Sequence, residues 1–106
     1  MNEKEGLWLY CVIENKGALH VETMGIQGNE PVYIVTGEAY SAVVSREPLK
    51  KYPLERSILL AHQKINEEVM AKQPVLPVRF ATLALNEYQI KNEVLSSDDR
   101  LREPHS

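Results

Sequence analysis

Seven consecutive apolar or aromatic residues at positions 7–13 (LWLYCVI) constrain the fold of this chain more than any other segment. The run is short, polar at both ends and rich in aromatic and β-branched side chains, which is typical of a β-strand. Strict alternation would place Leu7, Leu9, Cys11 and Ile13 on one face, and Trp8, Tyr10 and Val12 on the other. Both faces are then apolar, as in a central strand that is covered on both sides.

Three further short apolar runs predict the other strands of a sheet. Residues 32–35 and 40–45 lie close together in the sequence, so we expect a hairpin. Residues 75–80 predict a fourth strand. Pro77 inside this run indicates an edge strand or a bulge, because proline cannot donate a ladder hydrogen bond. Residues 14–31 show no helical periodicity and are predicted to form a long loop.

Two helices complete the pattern. Residues 54–72 carry apolar side chains at steps of three and four, as in a helix with one buried stripe. Asn86 is a suitable N-cap for a short C-terminal helix over residues 86–96. The sequence therefore predicts an α+β fold, a ferredoxin-like variant with a four-stranded, mainly antiparallel sheet, in which a loop replaces the first crossover helix. The last helix would cover the part of the sheet that this missing helix leaves open.

The length of 106 residues fits one small domain, which we expect over residues 7–96, between a flexible N-terminus (1–6) and a flexible tail (97–106). The net charge is −3 and no stripe of Lys and Arg forms, so nucleic acid is not an expected partner. No apolar run is long enough to cross a bilayer, and the acidic N-terminus lacks a secretory signal. We therefore expect a cytoplasmic protein without a membrane partner.

Three stretches resemble the GvpL/GvpF family of gas vesicle proteins. Residues 9–13 (LYCVI) are similar to the aromatic start of the family pattern. Residues 25–45 resemble its next part, with GIQG, PVYIV and YSAVVS in the same order. The most specific stretch is His62 followed by residues 68–82, which include EVM and PVLPVRFAT. Family members commonly carry a second α+β domain, so the resemblance is to the N-terminal half.

The resemblance implies a non-catalytic accessory role in building gas vesicles, which are hollow shells of a small hydrophobic protein. The implied partners are this shell protein and other gas vesicle accessory proteins, and a second copy of the chain is a further candidate. The implied location is the gas vesicle within the cytoplasm. No catalysis and no cofactor are implied.

The second apolar face of the first strand is a candidate binding surface. Helices in a two-layer domain cover only one side of a sheet, so Trp8, Tyr10 and Val12 would need a partner, a second copy or further chain to cover them. Trp and Tyr are also frequent anchors of interfaces. The alternative is that the loop over residues 14–31 covers Trp8.

Arg79 and His62 are the polar residues most open to a functional role. Arg79 could anchor a partner or form an ion pair with Glu47 or Glu68, since its planar guanidinium suits both uses. His62 lies on the apolar stripe of the long helix. It is best interpreted as a partly buried structural histidine bonded to a carbonyl or a carboxylate, because no metal-binding spacing accompanies it. The alternative function is a small dimeric ferredoxin-like enzyme, of the monooxygenase or haem-handling type, with His62 in a pocket between sheet and helix.

Overall fold

The computed structural model describes residues 4–14 and 19–94, and for residues 77, 81, 93 and 94 it describes the backbone only. The elements, in chain order, are β1 (Glu5–Glu14), β2 (Val32–Thr36), β3 (Tyr40–Pro48), α1 (Arg56–Met70), β4 (Leu76–Ala84), α2 (Glu87–Gln89) and a π-helical turn (Ile90–Val94). The four predicted strands are confirmed, and the long helix predicted over residues 54–72 is present but shorter, over Arg56–Met70. β1 begins inside the segment that was predicted as a flexible terminus, and the predicted tail lies outside the described residues.

The sheet has the strand order β2-β3-β1-β4, and all neighbouring strands are antiparallel. β1 and β2 therefore run in the same direction with β3 between them, and β3 and β4 do so with β1 between them. This split arrangement is that of the ferredoxin-like fold, which confirms the predicted class. In the described part of the first connection, residues 19–31, the chain forms turns and no helix, as predicted.

A β-bulge at Tyr10 overturns the predicted faces of β1. Leu9 pairs with Val44 and Cys11 pairs with Val43, so Tyr10 is an extra residue without an opposite partner on β3. A bulge of this kind interrupts the alternation of side chains along a strand. Trp8, Tyr10, Cys11 and Ile13 consequently share the face that carries α1, whereas Leu7, Leu9 and Val12 lie on the opposite face.

The edge strand β4 is irregular at the same level of the sheet. Leu9 pairs with Thr82 while Cys11 pairs with Pro77, so two steps along β1 correspond to five along β4. Pro77 thus lies on an edge strand and beside a bulge, and both expectations for it are met. This irregularity brings Phe80 to the α1 side of the sheet, whereas Leu76 and Val78 pack on the opposite side, so strict alternation along residues 75–80 does not hold.

The two sheet faces are covered by different parts of the chain. Ile58, Ile65 and Val69 of α1 pack on the face with Trp8. Ile90, fully buried at the start of the π-helical turn, packs on the opposite face with Leu9. The expectation that the last helix would replace the missing crossover helix is therefore wrong. Asn86 is the N-cap of the short helix, as predicted, and its side chain accepts a hydrogen bond from the Gln89 amide at 2.8 Å. The helix predicted over residues 86–96 is α-helical only over Glu87–Gln89 and continues as the π-helical turn, and its last two predicted residues lie outside the described ones.

Candidate binding surface

Trp8 lies in an aromatic enclosure between the sheet and α1. Its indole Nε1–H donates to His62 Nδ1 at 3.0 Å, and no part of its side chain is exposed. The rings of Tyr52 and Phe80 meet the indole edge to face, with centroids 5.1 and 5.6 Å away. Such contacts add to the burial of a large ring. Trp8 is therefore part of the core.

His62 is a structural acceptor in this enclosure. Nδ1 accepts the indole proton, which assigns the neutral imidazole with its own proton on Nε2. Burial lowers the pKa of His62, because a charged ring would lose solvation there. The predicted structural role fits this geometry, but the partner is an indole instead of a carbonyl or a carboxylate. Among the described residues, no three His, Cys, Asp or Glu side chains are placed to hold a metal.

In the described part of the chain, clefts open at opposite ends of the sheet, and two of them are lined by residues that do not include His62. One, of about 140 Å³, lies between Ile13 and Val75. The other, of about 150 Å³, lies between Leu7 and Asn86. The His62 imidazole is in contact with three aromatic rings, those of Trp8, Tyr10 and Phe80, with centroids 5.1 to 6.1 Å away.

A buried chain of hydrogen bonds holds the long loop on the sheet. The Ile26 amide donates to the Tyr10 hydroxyl at 3.0 Å. Ser45 donates its only side-chain proton to Glu47 Oε2 at 2.6 Å, so the Tyr10 hydroxyl donates to Ser45 Oγ at 2.7 Å. Gln27 donates to the other carboxylate oxygen at 3.2 Å. Burial raises the pKa of Tyr10 well above its usual range. The network fastens the loop that replaces the first helix.

Gly25 and Gly28 explain the GIQG stretch that resembles the family pattern. A Cβ on Gly25 would lie 2.5 Å from Glu47 Oε2 and 2.6 Å from Ser45 Oγ, so only glycine fits over the buried carboxylate. The Gly28 amide closes a turn on the Gly25 carbonyl at 2.8 Å, and Gly28 has a φ of +80°. Positive φ favours glycine. Both glycines therefore shape the loop.

Glu68 fastens an earlier part of the same loop to α1. Its carboxylate accepts from the Glu22 amide at 2.6 Å and from the Thr23 amide and hydroxyl at 3.1 and 2.7 Å, and Lys72 Nζ is 3.8 Å away. Burial alone would raise the pKa of Glu68, but these donors and Lys72 favour the charged form and the net pKa is lowered. Sequence reasoning assigned no such role to Glu68.

Arg79 does not form either of the ion pairs considered for it. Glu47 is engaged by Ser45 and Gln27, and Glu68 is engaged by the loop. Arg79 is exposed on the irregular edge of β4. Of the four residues predicted to contact a partner, Arg79 alone presents its side chain to solvent.

Trp8, Tyr10 and Val12 do not form one open face. Each has at most 1% of its surface exposed, and the bulge places Val12 on the side opposite the two aromatic residues. A partner could reach these side chains only if the covering segments moved. For Trp8 the cover is α1, Tyr52 and Phe80, whereas the long loop covers Tyr10.

Exposed apolar side chains lie on the outside of α1 and, elsewhere in the described residues, at Met24, Leu54, Leu85 and Tyr88. Leu59, Leu60 and Met70 are 41%, 50% and 53% exposed, and we call these three residues the outer face of α1. At about 100° per residue, Leu59 and Met70 project within roughly 20° of each other. Sequence periodicity had marked only the buried stripe of this helix, so the outer face was missed.

Comparison with known proteins gives the family. A family model described as "Gas vesicle synthesis protein GvpL/GvpF" matches residues 6–103. The chain belongs to this family. Membership in the GvpL/GvpF family supports a gas vesicle accessory role.

A solved structure agrees with the GvpL/GvpF assignment. The crystal structure of the gas vesicle protein GvpF from Anabaena sp. PCC7120 matches with a TM-score of 0.81 and 25% identity, over 94% of this chain and 43% of that chain. The chain therefore spans less than half of the length of that protein. No curated protein matches the chain. Neither helix in the described residues has the length and apolar character needed to span a bilayer.

Proposed function

We propose that this chain is a non-catalytic accessory protein of gas vesicle assembly, located at the vesicle in the cytoplasm, which binds the small hydrophobic shell protein and other accessory proteins. GvpL/GvpF family membership supports the gas vesicle role. The observation that carries the binding role is the exposed apolar outer face of α1.

Three large apolar side chains on one helix are costly to leave in water. Full burial of an exposed Leu or Met contributes about 1.5–3 kcal/mol, and because Leu59, Leu60 and Met70 are already about half buried, a partner that covers them gains roughly half of this for each. Methionine adapts its shape to irregular surfaces. Gln63 and Glu67 are exposed and lie between Leu59 and Met70 along the helix, so a partner on this face would also contact polar side chains.

Arg79 is a second contact in this proposal. Its exposed guanidinium can pair with a carboxylate or with backbone carbonyls of a partner without rearrangement of the chain. Trp8 and His62 act indirectly, because their hydrogen bond helps to hold α1 on the sheet. Their replacement would disturb binding through the fold and would not identify a contact.

The test is a binding measurement between the tagged chain and the purified shell protein, with intact gas vesicles as a second target. The double variant Leu59→Ser/Met70→Ser removes much of the outer face of α1, and we expect binding to weaken at least about tenfold, which corresponds to ~1.4 kcal/mol. Leu85→Ser is the matched control, because Leu85 is 60% exposed but lies outside α1. Unchanged binding by the double variant, or equal loss in the control, would contradict the proposal.

A further inference from the structure

We propose that β2 is a self-association edge, at which two copies of this chain pair their β2 strands in antiparallel fashion about Ile34. The two four-stranded sheets would then join into one continuous sheet. The inference does not depend on the proposed binding to the shell protein, and it uses a different surface.

The two edges of the sheet differ in their protection against such pairing. Edge strands usually carry charges, prolines or bulges that block the addition of another strand. β4 has all three, with Arg79, Pro77 and an irregular register. β2 has the sequence VYIVT, without charge, proline or register shift.

β2 has hydrogen-bonding capacity left for a further strand. Among the described residues, Val32–Thr36 pair with β3 alone. In an antiparallel ladder, alternate residues turn their N–H and C=O groups away from the partner strand. These outward groups on β2 form a template for a second strand.

The side chains of β2 are complementary to themselves. Antiparallel pairing about Ile34 sets Ile34 opposite its own copy, Tyr33 opposite Val35, and Val32 opposite Thr36. Val32 and Ile34 lie on the α1 side of the sheet, and Tyr33 and Val35 on the opposite side, so every pair joins residues of one side. Aromatic and β-branched cross-strand pairs are stabilising.

A second copy fits this edge in one register better than in its neighbours. Pairing about Tyr33 would bring Pro31, which has no N–H, into the ladder opposite Val35. Pairing about Val35 would set Gly37 opposite Tyr33 and leave the ring without a partner. Only the Ile34 register uses all five residues of β2, and its two-fold symmetry is that of common homodimers.

Disulfide trapping tests this register directly in the full chain. In Ile34→Cys the two new cysteines face each other, with Cα atoms about 4.5–5.5 Å apart, which a disulfide can span. Thr36→Cys is the control, because its two copies would be about 13 Å apart by the rise of a strand. Thr36 is exposed and Ile34 is half-buried, so random collisions would favour the control. Cys11 is buried and burial raises its pKa to about 12, so it will not compete.

We expect a concentration-dependent dimer of the unmodified chain by light scattering, rapid cross-linking of Ile34→Cys, and at least about tenfold slower cross-linking of Thr36→Cys. If Ile34→Cys does not fold, Val32→Cys mixed with Thr36→Cys should cross-link, while neither does so alone. A monomer at all micromolar concentrations would overturn the proposal. Cross-linking of the control as fast as that of the test variant would also overturn it.

Discussion

Replacement of Tyr10 by phenylalanine isolates the hydrogen bonds that hold the long loop. The ring and its packing remain, and only the hydroxyl between the Ile26 amide and Ser45 is lost. Ser45 can still donate to Glu47, so the main loss is the acceptor of the buried Ile26 amide. A buried donor without a partner costs about 1–3 kcal/mol. We therefore expect Tyr10→Phe to lower the free energy of unfolding by about 2 kcal/mol.

The assay is urea unfolding followed by circular dichroism, with thermal unfolding as a second measurement. For a domain of this size, the expected loss lowers the midpoint temperature by roughly 8–16 °C. The urea slope should not change, because the exposed area on unfolding is the same. Hydrogen exchange should also show faster exchange of the Ile26 amide.

Tyr88→Phe is the matched control, since it makes the same chemical change on a side chain that is 76% exposed. We expect its effect to stay within about 0.5 kcal/mol. If Tyr10→Phe lost no more stability than this control, with an unchanged urea slope, the network would not be fastening the loop. The assignment of the Tyr10 hydroxyl as acceptor of the Ile26 amide would then be wrong.

Three further predictions concern the same framework. Because burial lowers the pKa of His62, the unfolded state binds the proton more readily, and the free energy of unfolding should fall as the pH drops below about 6.5. His62→Gln should make the free energy of unfolding depend less on pH in this range, and an unchanged dependence would contradict the prediction. Gly25→Ala should destabilise the fold more than Gly28→Ala, because the new Cβ at position 25 would lie 2.5 Å from the Glu47 carboxylate. A Cβ at position 28 would have no atom within 4 Å, so only the φ of +80° opposes that change. Equal midpoints of thermal unfolding for the two variants would contradict this prediction. Glu68 has a lowered pKa, so its stabilising effect is present at neutral pH and is lost as the pH falls through that pKa. Glu68→Gln should therefore lower the melting temperature at pH 7 but not in acid. Glu67→Gln, at the exposed neighbouring position, should leave the melting temperature unchanged at both pH values.

The sequence predicted the elements of this fold better than their faces. Runs of apolar residues located the strands, and the apolar stripe located α1, because both signals are local. The bulge at Tyr10 depends on how β1 pairs with two neighbours at once, so no local pattern reveals it. It moved Val12 away from Trp8 and Tyr10, which removed the predicted common surface.

The side-chain partners were still less accessible to sequence reasoning. His62 was correctly placed in a partly buried position, but its acceptor role toward Trp8 depends on packing across 54 positions of the chain. The sequence contained one indication of the buried Glu47 carboxylate. Ser45 and Glu47 are two residues apart on β3, so they lie on the same face of the strand. Arg79 was considered as its partner, although Ser45 and Gln27 provide the hydrogen bonds.

Loss of the first crossover helix creates a problem that the polar network solves. A helix satisfies its own backbone, whereas a loop on a sheet leaves amides and carbonyls that need other partners. Here the Tyr10 hydroxyl accepts a hydrogen bond from the Ile26 amide, and the Glu68 carboxylate accepts hydrogen bonds from the amides of Glu22 and Thr23. These acceptors, one buried at Tyr10 and one partly exposed at Glu68, let the chain cover β1 with a loop. Residues 19–31 form no helix beside α1, and in the described part of the chain Leu59, Leu60 and Met70 of α1 are left exposed.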